Sequence, residues 1–200
     1  MNTKCVLFDL DGTLIRAVHI HRQAFCDSYR EVTGKQISAE YHDQELNGLP
    51  TKTKLRKLLI SDDLTLKISN LKQRKTIQLI EEQIFFDVEK VKLLCELETL
   101  NIKIGCVTNS IRVTAELMLS RAGLLEKLRS CLITNEDVIH PKPSPEGYLR
   151  AMQTLCVSPL ETLIVEDAPT GRDAARASGA KLWHVRDERD VTWEEIQTRL

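Results

Sequence analysis

Lys4-Cys5-Val6-Leu7-Phe8-Asp9-Leu10-Asp11-Gly12-Thr13-Leu14 opens with an apolar run and ends it in two carboxylates, Asp9 and Asp11, followed at once by glycine. A strand that is apolar at every position is covered on both faces, which is the mark of a parallel sheet flanked by helices. In open α/β sheets ligands bind outside the carboxyl ends of the strands, so Asp9 and Asp11 are expected in the default site. Two uncompensated anions there repel by about 4 kcal/mol at 4 Å in an effective dielectric near 20. A cation is needed, and oxygen-only ligands favour Mg²⁺.

Four more β-type runs follow, at 103–108, 131–134, 162–166 and 181–185. Helical patterns separate them. Apolar residues recur at helical spacing over 88–100 and 113–122, and Ser144-Pro145-Glu146 reads as a helix start with Ser as N-cap. Gly179 suits a helix C-cap, and Thr192 with Glu195 suits a capping box. The expected fold class is α/β, a doubly wound parallel five-stranded sheet. The stretch between the first two strands is too long for one crossover and reads as helices over 17–32, 39–46, 51–59 and 63–85, broken by Asn47-Gly48-Leu49-Pro50. The expected division is a catalytic core of residues 1–15 and 88–200 with an inserted α-helical cap domain of residues 16–87. The basic run Lys72-Gln73-Arg74-Lys75 is expected on a solvated helix face.

With 42% hydrophobic and 28% charged residues in 200, the chain can bury a core and is far from a disordered composition. Its 28 basic residues nearly cancel its 29 acidic ones, so no global field recruits nucleic acid or an anionic membrane. No apolar run approaches the length of about 18 residues that a membrane helix needs, and the opening residues are unlike a signal peptide, so a cytoplasmic location is expected. Six cysteines without any C-x-x-C pair read as reduced, buried thiols.

The remaining strand ends supply Val107-Thr108-Asn109-Ser110, then Lys142 in His140-Pro141-Lys142-Pro143, then Val165-Glu166-Asp167. Ser110 alone reads as a helix N-cap. Taken together and in this order, these motifs resemble those of the haloacid dehalogenase superfamily, in the branch of β-phosphoglucomutase and phosphoglycolate phosphatase whose helical cap follows the first motif. The resemblance spans roughly residues 4–185. It implies that Asp9 is the nucleophile that takes up the phosphoryl group, and that Asp11 is the general acid and base. It implies Mg²⁺ on Asp9, Asp167 and the backbone carbonyl of Asp11, with Glu166 acting directly or through water. Thr108 and the amide of Asn109 would bind phosphoryl oxygens, and Lys142 would neutralise charge between Asp9 and the phosphoryl group.

Asp11 argues against a dehalogenase, whose leaving halide needs no proton. A phosphonatase is expected to carry a cap lysine where Thr51 stands here, with Lys52 one residue off. His21 matches a cap-hinge histidine of the sugar phosphomutases, and it reads equally as a polar residue near a helix start. Those mutases carry an arginine at the position of Thr51 and a lysine at that of Ile111, so a second phosphate would lack two partners. The cap loop including Gly48, Thr51 and Lys52 is expected to contact substrate, and Arg16 replaces an acid common after the first motif. The expectation is a Mg²⁺-dependent phosphatase for a small phosphomonoester such as a sugar phosphate, working as a monomer or weak homodimer without nucleic-acid or membrane partners. The alternatives are a β-phosphoglucomutase-like phosphomutase and a non-enzymatic phosphate-binding module.

Overall fold

The computed structural model describes residues 3–46 and 49–200. Its sheet has five parallel strands, β1 (Cys5–Phe8), β2 (Lys103–Val107), β3 (Leu132–Ile133), β4 (Thr162–Glu166) and β5 (Lys181–His184), in the order β3-β2-β1-β4-β5. All four residues of β1 are fully buried, as the unbroken apolar run predicts. The chain winds outward from β1 to β3, then crosses back to lay down β4 and β5 on the other side. The topological switch point therefore falls between β1 and β4. Strand β3 is shorter than its apolar run because Thr134 leaves the ladder: its N–H and hydroxyl both donate to the Asp137 carboxylate, at 2.7 and 2.8 Å.

Residues 17–83 form a compact helical unit. It contains α1 (Val18–Thr33), α2 (Ala39–Tyr41), α3 (Thr51–Lys57) and α4 (Asp62–Gln83). Phe25 and Tyr29 of α1 pack with Leu46, Leu55 and Ile68 in its core. The expected helix at 39–46 is instead a single turn of α2 that widens into a π-helix over His42–Leu46. The basic run of α4 is not a plain solvated face. Lys75 pairs with Glu31 at 2.8 Å, and the Lys72 ammonium lies 3.3 Å from His21 Nδ1, both within this unit.

Residues 1–16 and 84–200 form the sheet-bearing unit, so residues 84–87 fall with the sheet rather than with the helices. Its helices are α5 (Val88–Thr99), α6 (Arg112–Ala122), α7 (Leu125–Leu128), α8 (Glu146–Thr154), α9 (Pro169–Ala177) and α10 (Trp193–Ile196). Cys5, Leu7, Val107, Tyr148, Met152, Ile164 and Ala174 share one buried cluster between sheet and helices. Helix α8 starts at Glu146, one turn-defining residue later than expected, with Pro145 as N-cap. Only half of the expected capping box forms at α10: Thr192 accepts the Glu195 N–H, while the Glu195 carboxylate pairs with Arg199 at 2.9 Å. All six cysteines are free, but only Cys5, Cys106 and Cys131 are buried; Cys26 is half-buried, and Cys95 and Cys156 are exposed. Among the described residues, no helix is long and apolar enough to cross a membrane.

Candidate active site

Phe8 of β1 pairs with Val165 of β4, so Asp9 and Glu166 are the next residues on neighbouring strands at the switch point. The Asp9 N–H still donates to the Val165 carbonyl at 3.0 Å, which fixes its backbone at the strand end. Gly12 then turns the chain, with φ 96° and its N–H donating to the Ile15 carbonyl at 2.8 Å. That conformation favours glycine. The turn buries Thr13 completely and lets its hydroxyl donate to Asp167 Oδ1 at 2.9 Å.

Lys142 enters from the loop after β3. Asn109 clamps its backbone reciprocally: Oδ1 accepts the Lys142 N–H at 3.0 Å, and Nδ2 donates to the Lys142 carbonyl at 3.2 Å. The buried ammonium donates to Asp9 Oδ1 at 2.5 Å and to Glu166 Oε2 at 2.7 Å. Glu166 is itself held firmly. Tyr148 of α8 donates to its Oε2 at 2.6 Å, and the Ala168 N–H donates to its Oε1 at 3.1 Å. A Cβ on Gly171 would stand 2.0 Å from the Glu166 carboxyl carbon, so close approach requires glycine there. At the end of β2, the hydroxyls of Ser110 and Thr108 donate to Asp11 Oδ2 at 2.8 and 3.3 Å.

Asp9, Glu166 and Asp167 each place a carboxylate oxygen within 4.8 Å of the others. Lys142 contributes one positive charge against these three. Burial, then repulsion from Glu166, pushes the Asp9 carboxyl well above its usual range despite Lys142. Burial and Glu166 likewise push Asp167 up to about 6. Burial works against the Lys142 ammonium, but Asp9 and Glu166 outweigh it and hold the group charged. Burial also raises the Tyr148 phenol, which stays a donor. Clustered acids that resist ionisation are relieved by a divalent cation, and a donor set of oxygens alone suits Mg²⁺ rather than a thiolate- or imidazole-seeking metal. Glu166 Oε1 accepts one hydrogen bond, which leaves a lone pair for a metal or a bound water. The residues present fit the ion.

The seven core residues expected from the motifs lie at the strand ends in two contact groups, Asp9, Asn109, Lys142, Glu166 and Asp167 in one and Asp11 and Thr108 in the other. The Asp11 carboxylate stands outside the three-acid group and is turned to Ser110. His21, Thr51 and Lys52 belong to the helical unit, where Thr51 opens α3 and Lys52 is exposed; Gly48 lies outside the described residues. Three hydroxyls escaped the sequence reading. Ser110 is not the cap of α6, since Ile111 occupies the N-cap position. Thr13 lay inside the first motif without a role. Tyr148 carried no site role in the sequence reading, although a buried tyrosine hydroxyl needs a partner, and that was the available signal.

Acids from two neighbouring strands that meet a lysine at the switch point of a doubly wound sheet define an α/β enzyme suited to an anionic group bound with a metal. The family follows from the sequence: residues 6–185 match the haloacid dehalogenase-like hydrolases, and the chain belongs to that family. It is 32% identical over 185 residues to a validoxylamine A 7'-phosphate phosphatase of Streptomyces hygroscopicus subsp. limoneus, covering 88% of this chain and 82% of that one. It is 29% identical over 198 residues to the pyrophosphatase PpaX of Oceanobacillus iheyensis, covering 94% and 87%. The fold superposes on a β-phosphoglucomutase of Clostridium difficile with a TM-score of 0.81 at 22% identity, covering 98% and 96%.

Proposed function

We propose that this chain is a Mg²⁺-dependent phosphatase that hydrolyses a small phosphomonoester through an aspartyl-phosphate on Asp9. The observation that carries the reading is the buried Lys142 ammonium 2.5 Å from Asp9 Oδ1. An anionic nucleophile attacking an anionic substrate needs its charge compensated at the reacting oxygen, and Lys142 is built in to do that. Asp9 forms the bond to phosphorus as the ester oxygen departs with a proton from Asp11. Asp11 then takes a proton from the water that attacks the aspartyl-phosphate, which returns Asp9 as carboxylate and releases inorganic phosphate. Ser110 and Thr108 hold the Asp11 carboxylate through one oxygen, which aims it at the leaving group. Asn109 fixes the Lys142 main chain, and its own N–H together with Thr108 is suited to bind phosphoryl oxygens.

Asp9, Asp167 and the Asp11 carbonyl would hold Mg²⁺, with Glu166 acting directly or through water. When bound, the ion would polarise a phosphoryl oxygen and offset the local negative charge. The helical unit would act as the cap, with the loop around Gly48, Thr51 and Lys52 contacting substrate. A small phosphomonoester is favoured by the relative named for validoxylamine A 7'-phosphate, and pyrophosphate by the relative named a pyrophosphatase. A second reading, a β-phosphoglucomutase-like mutase, draws on His21, whose ring lies 3.3 Å from Lys72. Thr51 and Ile111 count against it, because neither carries the positive charge that the mutases' arginine and lysine would offer a second phosphate.

A chromogenic aryl phosphate incubated with and without Mg²⁺, beside Asp9→Asn, tests the mechanism. We expect Mg²⁺-dependent phosphate release that the substitution reduces by at least about a thousandfold. Release that ignores Mg²⁺ or survives Asp9→Asn sinks the proposal. Interconversion of hexose phosphates with a bisphosphate primer would decide for the mutase.

A further inference from the structure

Tyr148 is fully buried in the cluster that includes Val107, Met152 and Ile164, and phenylalanine would meet every apolar need of that position. Its hydroxyl nevertheless reaches Glu166 Oε2 at 2.6 Å, the same oxygen that accepts the Lys142 ammonium at 2.7 Å. The ring of Tyr148 also lies beneath that ammonium, 4.8 Å from its centroid. Tyr148 thus touches both the lysine and the acid that competes with Asp9 for it.

We propose that Tyr148 is a positioning residue for Lys142: its hydroxyl draws charge from Glu166 Oε2 while its ring face supports the ammonium, so that Lys142 stays extended to Asp9. The inference rests on the phosphatase reading for its effect on rate, but not for its effect on geometry. An ammonium shared between two carboxylates moves toward the oxygen with more negative charge. A phenol donating to Oε2 lowers that charge, and a cation over an aromatic face gains further attraction. Glu166 cannot relieve the competition by turning away, because Ala168 N–H holds its other oxygen and the Gly171 backbone closes the third side. Removing the hydroxyl should let Glu166 take the ammonium from Asp9.

Tyr148→Phe keeps the ring and removes the donor. We expect kcat on 4-nitrophenyl phosphate to fall about tenfold, with KM within about twofold, because charge compensation at Asp9 matters most in the transition state. In a Glu166→Gln background, where the competing charge is gone, the same change should cost less than about twofold. A role in packing alone predicts equal losses in both backgrounds, and that result overturns the proposal. A crystal structure of Tyr148→Phe supplies a readout independent of activity: the distance from Lys142 Nζ to Asp9 Oδ1 should open beyond about 3.5 Å while the contact with Glu166 persists. If the wild type releases no phosphate, the phosphatase reading fails and this distance alone decides. An active wild type with an unchanged Lys142 in the variant overturns the proposal and leaves the phosphatase reading standing.

Discussion

Ser110 precedes α6 by one residue of loop, where a serine ordinarily caps a helix, yet its hydroxyl donates to Asp11 Oδ2 at 2.8 Å. The two roles predict different losses. A cap replaced by alanine costs about 1 kcal/mol of stability and leaves the chemistry alone. A hydrogen bond to a carboxylate is worth about 1.5–3 kcal/mol, and part of that is recovered by water at a half-exposed position. Ser110→Ala should therefore lower kcat about tenfold in steady-state assays and leave the thermal midpoint within about 2 °C; the reverse pattern would restore the cap. Asp9, Glu166 and Asp167 were legible because chemistry-bearing residues stand out at the ends of apolar runs, and Lys142, in the loop after β3, through its place in the motif order. Ser110, Thr13 and Tyr148 were not, because the partner of a hydroxyl depends on which other strand end lies beside it.

At the level of elements, continuous apolar runs identify β1, β2 and β4, since a strand covered on both faces has few other readings, whereas the edge strand β5 leaves Lys181 and His184 exposed. Strand β3 is curtailed by the Thr134 to Asp137 contacts, and the π-helix at His42–Leu46 replaces a helical stretch; neither leaves a period in the sequence. Lys90 shows a different limit. It shares the face of α5 that carries Leu93, Leu94 and Leu97, where its charge argues for solvent, yet it is buried and donates to the carbonyls of Glu188 and Val191, both at 2.7 Å. Burial lowers its pKa, against the attraction of Asp87, Glu188 and Asp187. The ammonium ties α5 to the segment after β5 by satisfying two carbonyls. Lys90→Met preserves the stem, orphans the Val191 carbonyl and leaves the Glu188 carbonyl only the Val191 N–H at 3.3 Å. We expect a loss of about 2–3 kcal/mol, read as a fall of roughly 6 °C in the thermal midpoint, with activity per folded molecule unchanged. A fall below about 1 °C would mean that water replaces the ammonium without cost.

For the whole molecule, the three-acid group ties stability to pH and metal in a way that surface charges do not. Asp167 titrates at about 6 against an ordinary value of 3.8, and Asp9 is raised as well, by burial and by Glu166. Acids with a higher pKa folded than unfolded bind protons in the native state that the unfolded chain has released, so stability falls as pH rises between 3.8 and about 6. The rise at Asp167 corresponds to about 3 kcal/mol, reduced to about 2 because the group is partly exposed. Opposed to this, hydrogen bonds from Lys4 and Ser158 lower Glu161 to about 2, and those from Arg186 lower Asp190 to about 2, so their contributions disappear as pH falls below about 4.5. The metal-free protein should then be most stable near pH 4 to 4.5 and grow weaker through pH 5 to pH 7.5. On the proposed reading Mg²⁺ would bind the ionised acids and stabilise by mass action, so its effect should be largest where the protein alone is weakest. Thermal melts in EDTA at pH 5, 6 and 7.5, repeated with excess Mg²⁺, measure both trends. We expect a midpoint several degrees lower at pH 7.5 than at pH 5 in EDTA, with Mg²⁺ closing most of the gap. A midpoint that rises steadily with pH in EDTA, or does not respond to Mg²⁺ at pH 7.5, would contradict an acid cluster held short of its cation.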